Sequence, residues 1–169
     1  MSIYRRDDSF LTSARLGTPA GENLVVGTSL AYGRVLQTQG MSTFPRNELV
    51  SDEAVLKKRL GLDAQYLTGP YTLKSEANFG KNDDTDVAGY LAEVDYTLPR
   101  NQNWEFQLQY QSWFNDTAVR GSDDSTVTLG TAYKVSQYIT LRMAVAHDTN
   151  MMMGNEDDKI WMQFYYFGV

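Results

Sequence analysis

The sequence predicts an all-β fold: an antiparallel sheet rolled into a transmembrane β-barrel. Three observations carry that prediction. Runs of about 10 to 13 residues alternate in polarity with period two along almost the whole chain. The polar side of these runs is too polar to be a dry core. The breaks between runs alternate between short and long.

Composition limits the alternatives. A chain of 169 residues, 42% of them hydrophobic, fits one ordered domain, residues 1–169. Fifteen Lys and Arg against twenty-one Asp and Glu give a formal charge of -6, which argues against a nucleic acid held through its phosphates. Cysteine is absent, so disulfide staples, thiolate metal sites and a Cys nucleophile are excluded. No run of about 18 apolar residues is present, so a membrane crossing would have to use strands. The opening "MSIYRRDD" lacks the apolar core of a signal peptide, and an exported protein is therefore expected to be represented here in mature, recombinant or truncated form.

Candidate strands lie at residues 9–18, 23–37, 54–68, 71–81, 86–98, 103–115, 124–135, 138–149 and 158–168. In the third run Leu60, Leu62, Ala64 and Tyr66 share one face, and Arg59, Gly61, Asp63 and Gln65 the other. The fourth puts Tyr71, Leu73, Ala77 and Phe79 opposite Thr72, Lys74, Glu76 and Asn78. In the sixth, "WEFQLQYQSWF", Trp104, Phe106, Leu108, Tyr110 and Phe114 oppose Glu105, Gln107, Gln109 and Gln111. Burying one Glu and three Gln without partners would cost several kcal/mol per group, so that face must be wet. The one helical signal is "NELVSDEAVLKKRLG", whose capping residues could form a helical turn ahead of the third strand.

Gly69-Pro70, "PRNQN" and "SQY" read as tight connections, and "KNDDTD", "NDTAVRGSDDS" and "DTNMMMGNEDD" as longer acidic loops. Short turns at one rim and long loops at the other are the outer-membrane pattern. On the apolar faces Tyr66, Tyr71, Tyr96, Trp104 and Tyr133 fall near the short turns, while Phe79, Tyr90 and Phe114 fall nearer the long loops, as two interfacial belts require. Leu62, Leu73, Phe106, Leu108, Leu129 and Leu141 should accordingly face lipid, and the polar sets a water-filled lumen. Lys58 shares the lipid-facing parity near a loop end, where its amine can snorkel to headgroups.

Register follows from parity. Matching Val135 with Ile139 requires a three-residue loop at 136–138, and the turn at Gly69-Pro70 should pair Tyr66 with Leu73 and Asp63 with Glu76. Two carboxylates directly opposite one another need a nearby cation. Arg59 and Lys74 share that face and are expected to supply it.

Tyr66 before Gly69-Pro70, with an aromatic and "LKSE" after it, makes "GLDAQYLTGPYTLKSEANFG" resemble a hairpin of the phosphate-selective porin O and P type. The resemblance covers about residues 55–169. It implies a trimeric barrel of 16 to 18 strands with basic lumen residues that select anions. The last run, "DKIWMQFYYFGV", resembles the C-terminal assembly signal of bacterial outer-membrane proteins, with Gly168-Val169 after the usual terminal Phe. Nine strands is an odd number, and bacterial single-chain barrels have even ones, so the chain is expected to be the C-terminal part of a larger barrel unless residues 1–7 hold a further strand.

Candidate pore-lining residues are Arg15, Arg59, Asp63, Lys74, Glu76, Glu93, Glu105 and Arg142, with Asp95 and Lys134 beside them. This mixed set departs from the basic lumen that the resemblance implies. Candidate sites of other kinds are weaker. His147 with Thr149 two residues on resembles the His and Ser of an outer-membrane phospholipase, but reads better as a rim histidine. Met151–Met153 could hold a soft metal through thioethers. The Asp pairs at 83, 123 and 157 could bind divalent cations that bridge lipopolysaccharide. The expected function is a bacterial outer-membrane channel for small hydrophilic solutes or ions. No cofactor, catalysis or nucleic acid is expected, and the partners are the lipid bilayer and lipopolysaccharide, with a homotrimer implied by the resemblance. The alternatives are a small closed barrel acting as an anchor or adhesin, and a barrel lipase or protease.

Overall fold

A computed structural model describes residues 10–18, 21, 23–38, 49–151 and 158–167. Nine strands run in chain order: β1 (Phe10–Gly17), β2 (Leu24–Thr38), β3 (Leu49–Thr68), β4 (Tyr71–Asn82), β5 (Thr85–Thr97), β6 (Trp104–Phe114), β7 (Asp123–Lys134), β8 (Ile139–Asn150) and β9 (Asp158–Tyr166). Each pairs antiparallel with the next, giving one nine-stranded meander with no crossover. All nine expected strands are present, with boundaries that move by a few residues.

Two expectations fail at those boundaries. From Leu49 onward the segment with helix-capping residues is strand, paired with β2 across a bulge between Leu36 and Thr38. Cross-strand pairing over residues 49–68 overrides a local capping signal that had no apolar helical stripe behind it. Asn47, Glu48 and the possible strand in residues 1–7 lie outside the described residues. The "KNDDTD" segment is also not a long loop. Asn82 pairs with Thr85, leaving a two-residue turn at Asp83-Asp84. Asp83 sits at φ 50, a conformation that Asp tolerates, and its amide and carboxylate bond the Leu56 carbonyl and amide at 2.7 and 3.0 Å. Strict alternation of short and long connections therefore breaks at this hairpin.

Both register expectations hold. The Val135 amide donates to the Ile139 carbonyl at 2.9 Å, which leaves 136–138 as a three-residue loop. Across β3 and β4, Tyr66 pairs with Leu73 and Asp63 with Glu76. Gly69 at φ 55 takes the first central position of that turn; Pro70 cannot have positive φ, so the hairpin is of the II′ kind.

The usual distribution of polarity is inverted. Leu62, Leu73, Phe106, Leu108, Leu129 and Leu141 are 39–61% exposed, while Glu93, Asp95 and Asp148 are no more than 9% exposed. Among the described residues, buried apolar residues are few and mostly small, such as Ala132, Ala144 and Ala146, and make no packed core. Apolar-out, polar-in is what a sheet curved around its polar face produces. From Trp104 to Phe114 the outer face of β6 climbs about 33 Å along the strand, or about 23 Å at a tilt near 45°, close to the ~25 Å apolar band of a transmembrane barrel.

The aromatics sort into two bands on this outer face. Tyr71 lies 5.1 Å from Tyr96, and Trp104 4.6 Å from Tyr133, at the rim of the Gly69-Pro70 turn. Phe79, Tyr90 and Phe114 form an edge-to-face chain with centroids 5.8 and 6.1 Å apart toward the opposite rim. Phe10 and Tyr32, 5.9 Å apart, extend that second band across β1 and β2.

Candidate functional site

Pairing register places all eight candidate residues on the polar face: Arg15, Arg59, Asp63, Lys74, Glu76, Glu93, Glu105 and Arg142. They fall into separate clusters rather than one site.

The first cluster corrects an expectation. Asp63 and Glu76 are opposite one another, but the cation that meets Asp63 is Arg15, whose Nη2 and Nε reach its two oxygens at 2.6 and 3.2 Å. Arg15 is on β1 and Asp63 on β3, so the pair spans β2, passing over Gly27. A Cβ on Gly27 would lie 2.6 Å from Asp63 Oδ1 and 2.7 Å from Arg15 Nη2. Glu76 accepts from the Asn78 amide at 2.7 Å.

Lys74 turns the other way. Its ammonium lies 2.6 Å from Glu93 and 2.7 Å from Asp95, both on β5. Glu93 is the direct cross-strand partner of Lys74, and both carboxylates are buried, whereas Asp63 is on the opposite neighbour. One cation between two poorly hydrated carboxylates gains more than it would beside the better hydrated Asp63.

Arg59 also stays away from the Asp63–Glu76 pair. It donates to the Lys81 carbonyl at 2.7 Å and Asn82 Oδ1 at 2.6 Å, and lies 5.4 Å over the Trp113 ring. The indole lies against Gly89, its cross-strand partner, where a Cβ would collide with the ring. Arg142 stands 5.5 Å over Tyr165.

Sequence reasoning missed a third cluster. Asp148, 2% exposed, accepts from Lys159 at 2.5 Å and from Thr126 at 2.9 Å. The inward parity of Asp148 and Lys159 was the available signal. Trp113, Trp161 and Tyr165 likewise share the polar parity, so the inner wall is less purely hydrophilic than Glu105 and the Gln107, Gln109 and Gln111 row suggested. Between these groups lies a cavity of about 250 Å³, lined by Lys74, Asp95, Glu105, Gln109, Arg142 and Gln163 among others.

The remaining candidates sit elsewhere. His147 Nδ1 contacts Asp158 at 2.8 Å on the apolar side, and the Thr149 hydroxyl donates to the Ser125 carbonyl at 3.2 Å. Asp123 accepts from the Ser125 hydroxyl at 3.1 Å within β7, and Asp124 holds the 115–122 loop by accepting from the Asn115 side-chain amide at 3.0 Å. Met151 is described; Met152, Met153 and Asp157 lie outside the described residues. Among the described residues no three His, Asp or Glu side chains gather as a metal site would require.

No protein-family model matches the chain, and no curated protein sequence matches it significantly. A solved structure does: OmpTdeltaL8, a loop L8 deletion mutant of OmpT, an outer membrane protein of Vibrio cholerae, with a TM-score of 0.65 and 14% identity over 96% of this chain. The fold is that of an outer-membrane β-barrel protein. The nine-stranded sheet spans 56% of the length of that structure, a little over half. The expected bacterial outer-membrane location agrees with this fold.

Proposed function

We propose that this sheet is part of the wall of a water-filled outer-membrane channel through which small hydrophilic solutes or ions diffuse passively. The inner face carries the reading: Arg15, Arg59, Lys74, Arg142 and Lys159 alternate with Asp63, Glu76, Glu93, Glu105 and Asp148 above a row of glutamines, a surface that only water can cover. Strand direction supports a larger barrel. In a meander of nine strands β1 and β9 run the same way, so an antiparallel closure needs an odd number of further strands. Seven or nine more would give the 16 to 18 strands of the porin type that the β3–β4 hairpin resembles, wide enough for an aqueous channel, whereas about 8 strands leave room only for side chains. With acids interleaved among bases the channel discriminates weakly between anions and cations, and strong phosphate selectivity is not proposed.

Planar-bilayer recording of the folded protein tests this. Discrete conductance steps that scale with the conductivity of the bathing salt are expected. Strand-rich protein inserted in the bilayer that passes no ions would overturn the channel and leave an anchor or adhesin.

A further inference from the structure

We infer that the outer face of β1–β4 carries a docking site for a phosphorylated, acylated glycolipid of the outer leaflet, the lipid A part of lipopolysaccharide. The inference rests on the membrane-spanning reading but not on the channel. Its starting point is a pair that should repel: Lys58 on β3 and Lys81 on β4 are direct cross-strand partners on the apolar face. Like charges in that relation destabilise a sheet unless an anion sits between or beside them. Among the described residues the one carboxylate that reaches them is Asp86, 3.0 Å from Lys81. Among the described residues Lys58 has no ion pair, nor does Arg34, which shares the outward parity of β2 one row further toward the rim.

Depth places these charges at headgroup level. Phe79, in the aromatic band that marks one membrane interface, is two residues before Lys81, so the ammonium groups stand about 7 Å further along the strands toward the rim. That rim bears the 115–122 loop, on the side where outer-membrane barrels carry their longer external loops. The lipid there exposes phosphate, and two lysines and an arginine present donors to it.

Immediately below the lysines the wall is hollowed. A groove of about 660 Å³ is floored by Ala14, Leu30 and Leu60 and bounded by Tyr32, Phe79 and the lysine stems. Its lining is almost wholly carbon. Ala14 leaves the space that a larger residue would fill, and Lys58 and Lys81 extend their methylenes along its upper edge. A groove for acyl chain beneath a cationic clamp complements a lipid that carries both in that order.

The test uses folded protein in phosphatidylcholine nanodiscs doped with bis-phosphorylated lipid A, with its dephosphorylated form, or with phosphatidylglycerol, and reads bound lipid by native mass spectrometry. Retention of the phosphorylated lipid A is expected, with at least a tenfold loss in Lys58→Glu/Lys81→Glu and no loss in Lys134→Glu, whose side chain is on the polar face at the other rim. Lys58→Gln, which removes only the charge lacking a carboxylate, should show an intermediate loss and serves if the double variant does not fold. Equal retention by wild type and Lys58→Gln, or equal retention of phosphatidylglycerol, would overturn the site. Conductance of the Lys58 and Lys81 variants, altered only on the apolar face, should be unchanged, so a protein that conducts but shows no lipid preference separates failure of this site from failure of the channel.

Discussion

Arg15 and Asp63 form an ion pair across an intervening strand, 48 positions apart in sequence and 2.6 Å apart in space. Gly27 is what lets them meet. Replacing Gly27 with Val should push the two side chains apart, leaving Asp63 and Glu76 opposed without their cation. Because the Arg15 side chain is 57% exposed and that of Asp63 still 29%, strand content and unfolding midpoint should change little. The readout is electrical: reversal potential at low salt should shift toward cations, where screening is least. An unchanged reversal potential would remove Arg15 and Asp63 from the ion path.

Lys74 should matter to both stability and selectivity. Substituting Glu there would set a third carboxylate against Glu93 and Asp95, which are 9% and 7% exposed. A buried pair broken on one side loses about 3–5 kcal/mol, and the 39% exposure of the lysine side chain reduces this to about 1–2 kcal/mol. Urea unfolding in vesicles measures the loss, and Lys74→Met should recover part of it.

Arg59, by contrast, acts as a wall brace. Gly89→Ala forces the Trp113 ring off its seat and out from under the Arg59 guanidinium. Overpacking of this kind costs about 1–3 kcal/mol. Tryptophan emission, compared with a Trp113→Phe background to isolate that indole, should shift in Gly89→Ala. Emission unchanged from wild type would mean that the ring is not held there.

The orientation of the whole sheet can be tested with one residue. Leu129 pairs with Leu108 and Val145 in the middle of the apolar belt and is 61% exposed. If lipid covers it, Leu129→Arg costs about 2–4 kcal/mol in a bilayer, whereas Leu141→Arg, nearer the short-turn rim, costs about 0–1 kcal/mol. A water-covered surface would tolerate both within about 0.5 kcal/mol. Equal, negligible effects in vesicles would sink the lipid-facing assignment.

The details that escaped sequence reasoning share a cause. Asp83-Asp84 looked like part of a long loop because the segment is acidic, yet a positive φ at Asp83 and two bonds to Leu56 close it in two residues. Residues 49–53, ahead of the expected strand, belong to a segment with helix-capping residues, and pairing with the neighbouring β2 backbone makes them strand. In both places a local preference yields to hydrogen bonds with a strand more than 25 positions away for Asp83 and at least 11 away for the start of β3.

By itself the sequence determined which side chains share a face and which residues are opposite one another across the short turns, because a strand has a side-chain period of two and a turn of known length sets the parity of pairing. Hence Leu62 and Leu129 were legible as outward, Asp63 as the partner of Glu76, and 136–138 as a three-residue loop. The tertiary structure decided which charges meet. Arg15 crosses a whole strand to reach Asp63, and Lys74 turns to Glu93 and Asp95 instead of Asp63, because side-chain partners depend on the local burial of each carboxylate and on the clearance that a glycine leaves. Those are properties of three or more strands side by side, and the period of a single strand does not contain them.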